Sequence, residues 1–215
     1  MRIIGLTGSI GMGKSTTLRL FAEEGCATWD ADAAVHRLYA QGGAAVGPVE
    51  ARFPGVTGAD GAIDRDRLVE HLQADPHGFE ALEAIVHPLV RDDRTAWLEA
   101  ARAEGRAFAV VDVPLLFETG THDQVEAVVV VSTSHHEQRR RVLARPGMTE
   151  ERFEQILSRQ TPDHEKRRRA HFVIETGDGI ETARDQVRAV LAALSTPGWR
   201  SSRPDALHTG GERGE

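Results

Sequence analysis

The chain has 215 residues, about 1.4 times the usual length of one domain, which favours one α/β domain with insertions over two independent domains. Hydrophobic residues make up 40% and charged residues 27%, a balance that can bury a core and argues against general disorder. The net charge of -7 disfavours a general role in binding nucleic acid or anionic membranes.

The apolar runs are too short for a membrane span or the core of a signal peptide. Runs such as residues 107–111 and 127–131 contain five residues each. Cys26 is the single cysteine, so an intramolecular disulfide is excluded, and the ten histidines show no zinc-site spacing with it. We therefore expect a soluble, cytoplasmic protein, monomeric or a small homo-oligomer, that binds neither nucleic acid nor a membrane.

Five short apolar runs predict the strands of a parallel sheet. They are rich in β-branched residues and lack polar alternation, as is typical of strands buried on both faces. The runs are residues 2–6, 26–29, 108–113, 125–131 and 172–174. Because helix-like stretches alternate with them, the sequence predicts an α/β fold with a five-stranded parallel sheet and helices on both faces.

Helix signals follow the first two runs. Residues 15–24 are helix-like and closed by Gly25, and residues 33–40 form a second helical stretch. A stretch rich in glycine and proline, residues 42–61, is followed by sequence that is helical throughout to residue 104. We therefore expect a helical insertion over about residues 60–104.

Three residues are expected to mark helix ends within this insertion. Asp64 and Asp75 have the character of N-caps, because an aspartate side chain accepts hydrogen bonds from the first free N–H groups of a helix. Pro88 is expected at the start of a helix, where its missing N–H costs no hydrogen bond.

The stretch after the fourth predicted strand is unusually basic. Residues 139–169 contain ten arginines and lysines against five acidic residues. Ser134 and Thr149 are expected to cap two helices separated by a Pro-Gly pair, and residues 161–162 to start a third. We predict a mobile basic lid over about residues 134–169 that binds an anion.

The end of the chain combines one further helix with a polar tail. Asp178 and Glu181 have the spacing of a capping box for a helix that runs to about Leu194. Residues 197–215 are rich in glycine, serine, proline and charge, and are expected to be disordered. The core of a single domain over residues 1–196 is expected to comprise residues 1–45, 105–133 and 170–196.

The most specific motif directly follows the first predicted strand. Residues 8–15 read Gly-Ser-Ile-Gly-Met-Gly-Lys-Ser and match Gly-x-x-x-x-Gly-Lys-Ser/Thr, ahead of a predicted helix. Glycines let backbone N–H groups turn toward phosphate oxygens, and the helix N-terminus adds a partial positive charge. We expect the Lys14 ammonium at the β- and γ-phosphates, the Ser15 hydroxyl on Mg²⁺ and Thr16 near the α-phosphate.

Composition supports this interpretation, and the residue at position 16 argues against the main alternative, a dinucleotide-binding fold. The chain has 24 arginines and only two lysines, so a lysine at position 14 is not what composition predicts. A dinucleotide-binding fold would place a ribose-binding acid about twenty residues downstream, where Asp30 and Asp32 lie. Its fingerprint would also need a glycine at position 16, which is Thr16 here.

Other nucleotide-using classes match less well. A guanine-specific GTPase normally reads the base with Asn-Lys-x-Asp, and this chain contains no asparagine. A mechanical ATPase normally ends a strand with Asp-Glu, whereas residues 111–114 read Val-Asp-Val-Pro. The short chain and the basic lid favour a small-molecule kinase, in which lid closure keeps water away from ATP.

Five motifs then occur in an order that is found in one kinase family. They are residues 7–16, Asp30-Ala31-Asp32, His87-Pro88-Leu89, residues 113–118 (Val-Pro-Leu-Leu-Phe-Glu) and Gln160. Over about residues 1–194 the chain resembles dephospho-coenzyme A kinases. The resemblance implies a P-loop NTPase-type three-layer fold with a helical CoA domain and a lid. It also implies transfer of the γ-phosphoryl group of ATP to the 3′-hydroxyl of the dephospho-CoA ribose.

The resemblance further implies roles on the acceptor side. Asp32 would be the base beside the acceptor hydroxyl, with a helix N-cap as the alternative. Asp30 would either support it indirectly or cap the helix. His87 would line the CoA pocket, with Pro114 and Leu115 at the end of a central strand, where parallel sheets bind ligands.

On the donor side the expected contacts come from the loop and the lid. The residues expected to bind ATP are Gly11, Met12, Gly13, Lys14, Ser15, Thr16, Arg141 and Arg145. Arg141 and Arg145 lie one helical turn apart, whereas Arg139 and residues 167–169 are expected to be solvated surface charge. Lys14 would also act in catalysis, and Asp112 would orient Mg²⁺ through water.

The chain departs from the family pattern at two places, and one alternative stays open. Residues 145–147 read Arg-Pro-Gly where the family usually has an acidic residue or two. His171 and Thr176 stand where the family tends to have aspartate and asparagine. The alternative is a related P-loop kinase of another small hydroxyl acceptor, such as a nucleoside or a sugar acid.

Overall fold

Five short strands alternate with helices along the chain. The computed structural model describes residues 1–200. The strands are β1 (Arg2–Thr7), β2 (Ala27–Asp30), β3 (Phe108–Asp112), β4 (Ala127–Ser132) and β5 (Phe172–Glu175). They form one parallel sheet in the order β2-β3-β1-β4-β5, which confirms the predicted fold class.

Nine α-helices and one short 3₁₀ turn (Thr121–Gln124) occupy most of the remaining described chain. The helices are α1 (Lys14–Glu23), α2 (Ala31–Tyr39), α3 (Val46–Arg52), α4 (Arg65–Ala74), α5 (Gly78–Ala103), α6 (His135–Leu143), α7 (Glu150–Leu157), α8 (Asp163–Arg169) and α9 (Ile180–Ser195). Asp64, Ser134 and Thr149 cap α4, α6 and α7 with their side chains, as predicted. Across residues 1–200, none of the helices combines the length and the apolar character that crossing a membrane requires.

One compact unit of the described chain is formed by residues 1–28 together with residues 107–200. Its centre is β1, whose Ile4 pairs in parallel register with Val110 of β3 and with Ala127 of β4. Every residue of β4 is buried, as expected for a strand covered on both faces. Because the strands are parallel, the carboxyl ends of β1, β3, β4 and β5 lie at one edge of the sheet, where ligands bind in such folds.

The other compact unit comprises Trp29–Arg106 and has its own hydrophobic core. Leu38 of α2 and Val49 of α3 are buried in the same cluster as Leu68 of α4 and Val86 of α5. This unit is larger than the predicted insertion over residues 60–104, because the apolar faces of α2 and α3 pack with those of α4 and α5.

The expected helix boundaries at Pro88 and Asp75 were wrong. Pro88 lies inside the 26-residue helix α5, although an interior proline typically costs about 3 kcal/mol. Burial of Val86, with Ile85 packed against the same core, favours an unbroken helix through this point. Asp75 does not cap α5, since its carboxylate accepts the N–H of His77 at 2.9 Å, one residue before the helix begins.

One further local expectation was also wrong. Asp178 and Glu181 form no capping box, because α9 begins only after Gly179, whose φ of 94° is readily adopted by glycine alone. The stretch rich in glycine and proline contains the helix α3, with Pro48 in its first turn, where a missing N–H is tolerated.

The three helices predicted for the basic segment are confirmed, whereas the predicted start of the tail was wrong. The basic segment (residues 134–169) folds into three helices that bury Val142, Phe153 and Lys166 completely. The predicted start of the tail at residue 197 lies too early in the chain, because Trp199 still packs on the protein. Its ring stacks on Phe172 with ring centroids 6.3 Å apart. The remainder of that predicted tail, residues 201–215, lies outside the described residues.

Candidate active site

The phosphate loop (residues 8–15) connects β1 to α1 at the carboxyl edge of the sheet. A Cβ atom at position 8 would lie 2.7 Å from the carbonyl oxygen of Val131, so only glycine allows the loop to approach β4 this closely. Gly11 and Gly13 have φ angles of 78° and 93°, in the left-handed region. Such alternation turns successive N–H groups toward a common anion, which is the arrangement expected from the motif.

The Lys14 ammonium donates a hydrogen bond to the carboxylate of Asp112, the last residue of β3. The Lys14 side chain is 17% exposed and that of Asp112 is 4% exposed. Asp112 therefore holds the ammonium at the loop, in surroundings where charge interactions are stronger than in bulk water.

The oxygen donors beside the loop fit the chemistry of Mg²⁺. Ser15 is exposed in the first turn of α1, and the Asp112 carboxylate lies next to Lys14. Within residues 1–200 no group of three or more His, Cys, Asp or Glu side chains could hold a metal. Magnesium usually relies on one or two protein oxygens together with substrate phosphates and water, and Ser15 and Asp112 supply oxygens of this kind.

Side chains from later parts of the chain contact the outer side of the loop. Gln138 Nε2 donates to the carbonyl of Ile10 at 2.8 Å, and the N–H of Ile10 donates to Gln160 Oε1 at 3.2 Å. Thr176 Oγ1 donates to the carbonyl of Met12 at 2.8 Å. Nothing in the sequence pattern pointed to Gln138, and Thr176 stood out only by departing from the family pattern.

The two arginines expected to contact phosphate have different surroundings. Arg141 donates to the hydroxyl and the carbonyl of Thr176 at 2.9 and 2.7 Å, and to Glu137 at 2.7 Å. Hydrogen bonds from Arg140 and then Arg141 lower the pKa of Glu137 to about 2. Arg145 is exposed. Only Arg141 is therefore tethered beside the phosphate loop.

The expectation of purely solvated charge also fails for two residues of the basic segment. Arg167 Nη1 donates to the buried Ser132 hydroxyl at 2.9 Å and pairs with Glu175. The Arg169 guanidinium lies 4.4 Å from the ring centroid of Phe117, in a cation–π contact, and its Nη2 is 3.4 Å from His122 Nε2. Arg139 pairs with Glu150 at the surface, in keeping with the expectation.

A buried ion pair links α8 to the chain after β3. Lys166 is completely buried, and its Nζ lies 3.0 Å from Glu118 Oε1. Burial alone would raise the pKa of Glu118, but the hydrogen bond from the Thr161 N–H and the nearby positive charge of Lys166 lower it below its usual value. The sequence pattern did not predict this pair, although a second lysine in a chain so rich in arginine was a usable signal.

In the unit of residues 29–106, the structure assigns different roles to the two aspartates of the Asp-Ala-Asp motif. Asp30 caps α2, accepting the N–H of Ala33 at 3.0 Å. Asp32 lies in the first turn, exposed, and forms no hydrogen bond or ion pair within residues 1–200. The N-cap alternative for Asp32 was therefore wrong. His87 is exposed on α5.

A hydrogen-bonded carboxylate on α5 fixes the chain on both sides of that motif. Trp29 Nε1 and Arg37 Nη2 each donate to Asp93 Oδ1 at 2.7 Å. Asp93 thereby ties the end of β2 and the middle of α2 to α5. Nothing in the sequence pattern singled out Asp93, because its two partners are 64 and 56 residues away.

The other residues expected near the acceptor lie just after β3. The carbonyl of Pro114 accepts the Thr7 hydroxyl at 3.2 Å, next to the phosphate loop, and Leu115 is 40% exposed. The structure thus gathers Lys14, Asp112 and Pro114 at the carboxyl edge of the sheet.

Comparison with known proteins gives consistent matches over nearly all the described chain. A family model for dephospho-CoA kinase matches residues 2–181. The chain is 56% identical over 194 residues to the dephospho-CoA kinase of Agrobacterium fabrum, covering 90% of this chain and 98% of the relative.

Solved structures agree with this match. TT1252 from Thermus thermophilus superposes with a TM-score of 0.73 and 35% identity, over 91% of this chain and 98% of its own. The dephospho-CoA kinase from Campylobacter jejuni shares the fold, with a TM-score of 0.64 at 22% identity, over 90% of this chain and 97% of its own. These matches span the same stretch of chain as the five sequence motifs.

Proposed function

The chain belongs to the dephospho-CoA kinase family and catalyses the final step of coenzyme A biosynthesis, and from this premise we propose which of its residues perform the reaction. The family uses ATP as phosphoryl donor. Membership of this family sets aside the alternative of a kinase acting on a nucleoside or a sugar acid. The remaining question is which side chains bind the phosphoryl donor, ATP, and which bind the acceptor, dephospho-CoA.

For the donor, we propose that the phosphate loop encloses the β- and γ-phosphates of ATP. The observation that carries this is the pair of left-handed glycines at 11 and 13, next to a lysine held at the loop by Asp112. The Lys14 ammonium would neutralise charge on the transferring phosphoryl group, and Arg141 would add a second cation.

For the metal, Ser15 and Asp112 are the residues that would hold Mg²⁺, Ser15 directly and Asp112 through water. When bound, the ion neutralises charge on the phosphate oxygens. Asp112 would then serve both the ion and the Lys14 ammonium, which matches its place at the end of the central strand β3.

For the acceptor, we propose that Asp32 orients the ribose 3′-hydroxyl of dephospho-CoA and takes its proton. The hydroxyl oxygen forms a bond to the γ-phosphorus as the bond to the β,γ-bridging oxygen breaks, giving coenzyme A and ADP. The support for this role is that Asp30 caps α2, which leaves the Asp32 carboxylate exposed and without a structural partner. His87, Pro114 and Leu115 would contact the rest of the acceptor.

The test compares acceptors side by side in a coupled assay of ADP release. Dephospho-CoA, adenosine, gluconate and shikimate are supplied at equal concentrations with ATP and Mg²⁺. We expect release that depends on dephospho-CoA, with the product identified as 3′-phosphorylated by ³¹P NMR. Faster release with any of the other three acceptors would contradict the assignment.

A further inference from the structure

Two carbonyl groups of the phosphate loop accept hydrogen bonds from side chains outside it. The Ile10 carbonyl accepts from Gln138 Nε2 and the Met12 carbonyl from Thr176 Oγ1, both at 2.8 Å. Gln138 is 3% exposed, so water competes little for its amide. The two acceptors are alternate peptides, each directly before a glycine with positive φ.

The direction of these bonds fixes the direction of the next N–H. In a planar trans peptide the C=O and the following N–H point to opposite sides. A carbonyl held outward at Ile10 therefore directs the N–H of Gly11 inward, and a carbonyl held outward at Met12 does the same for Gly13. These are the N–H groups that a left-handed glycine pair presents to an anion.

We propose that Gln138 and Thr176 are positioning residues that keep the N–H groups of Gly11 and Gly13 facing the triphosphate. The inference rests on the proposed role of the loop as the triphosphate site. Glycine adopts either sign of φ almost equally, so glycine peptides can rotate at low cost. A rotated peptide would present a carbonyl oxygen to the phosphates and repel them.

The surroundings of Thr176 determine which way its hydroxyl donates. A hydroxyl has one hydrogen and two lone pairs. Arg141 Nη1 donates to Thr176 Oγ1 at 2.9 Å, which occupies a lone pair. Two carbonyl oxygens then lie within reach of the hydrogen, and that of Met12 at 2.8 Å is favoured over that of Ser132 at 3.4 Å because it is closer. Thr176 thereby fixes the Met12 peptide and also holds Arg141 beside the loop. This gives a role to a residue at which the chain departs from the family pattern.

The experiment removes each hydrogen-bond donor while keeping the shape of the side chain. Thr176→Val deletes the hydroxyl and Gln138→Met deletes the amide. Thr182→Val is a matched control, because its hydroxyl also donates to a backbone carbonyl, that of Asp178 at 3.0 Å, on the exposed side of α9. Gln155→Met, at an exposed position of α7, controls for the glutamine.

ATP dissociation constants are measured by calorimetry, together with KM for dephospho-CoA and the melting temperature. We expect ATP binding weaker by roughly three- to tenfold in each single variant, the usual effect of one lost hydrogen bond. The double variant should show about the product of the two losses. KM for dephospho-CoA should stay within about twofold, and Thr176→Ser, which keeps the hydroxyl, should bind ATP like the wild type.

Other results would overturn the inference. If Thr176→Val and Gln138→Met lowered the melting temperature but bound ATP as tightly as their controls, the two side chains would be structural only. Equal weakening of ATP and dephospho-CoA would also contradict a role confined to the loop. A wild-type protein that failed to bind ATP would overturn the proposed function as well, whereas unchanged variants of an ATP-binding wild type would overturn this inference alone.

Discussion

The two lysines of the chain lie in the same compact unit, and each pairs with a carboxylate that follows or ends β3. Lys14 pairs with Asp112 at the phosphate loop, with 17% of its side chain exposed. Lys166 pairs with Glu118 and is completely buried. Both pairs join a lysine to a carboxylate, but they differ in whether another anion can reach the ammonium group.

Around Lys14 the neighbouring groups are loop N–H donors, so an arriving phosphate can share the ammonium with Asp112. Around Lys166 the space is filled by protein, and Glu118 is the carboxylate within reach. Removing a partner from a fully buried charge is costly, because the remaining charge cannot be solvated. We therefore assign the first pair to catalysis and the second to holding α8 in place.

The largest expected effect is on turnover at Lys14. Lys14→Met should lower kcat by about 10³-fold, since a cation that stabilises the transferring phosphoryl group is typically worth 10²- to 10³-fold. Steady-state kinetics with dephospho-CoA, together with circular dichroism, would check this. Retention of more than about a tenth of wild-type turnover would exclude the phosphate-loop assignment.

At the second pair the effect should appear in stability. Glu118→Gln leaves the buried Lys166 ammonium without its carboxylate and should lower the free energy of unfolding by about 3 kcal/mol. Lys166→Met should cost less, because Glu118 is 17% exposed and keeps the Thr161 N–H at 2.7 Å. Urea unfolding of both variants and of the double variant would measure this, and the reverse order would contradict the interpretation.

Asp30 and Asp32, two residues apart in the Asp-Ala-Asp motif, allow a similar comparison between two carboxylates. Asp32→Asn should lower kcat by roughly 10²-fold with little change in ATP affinity, because it removes the proposed base. Asp30→Asn keeps a capping oxygen and should have a much smaller effect on both kcat and stability. Near wild-type turnover of Asp32→Asn would require the base to be sought elsewhere.

The smallest expected effect is a pH dependence that arises from Glu118. Its pKa is lowered in the folded protein, so ionised Glu118 favours folding above the usual glutamate pKa of about 4.3. That contribution is lost as the pH falls through the lowered folded pKa. The stability difference between wild type and Glu118→Gln should therefore shrink on acidification, as urea unfolding between neutral pH and about pH 3 would measure. A difference that stayed constant would argue against an ionised Glu118.

Features encoded by neighbouring residues were correctly predicted from the sequence. The phosphate loop lies between a strand and a helix, as its run of eight residues predicted. The caps at Asp64, Ser134 and Thr149 involve N–H groups two or three residues away. Such short-range interactions depend little on the rest of the fold.

Features that depend on packing could not be predicted from local pattern. Pro88 indicated a helix start, but the core shared by α2 to α5 keeps α5 continuous through it. His171, in place of the aspartate typical of the family, accepts the Val128 N–H at 2.9 Å with its Nδ1. This contact forms because β4 and β5 are adjacent in the sheet.

The sequence by itself determined which short segments are proposed to carry the chemistry, because the phosphate loop and the Asp-Ala-Asp motif are each recognised from neighbouring residue types. The tertiary structure alone decided which side chains orient that chemistry. Gln138 and Thr176 reach the loop from 128 and 164 residues away. Contacts of that kind form when the sheet brings the carboxyl ends of its strands to one edge, and hydrophobic periodicity does not specify them.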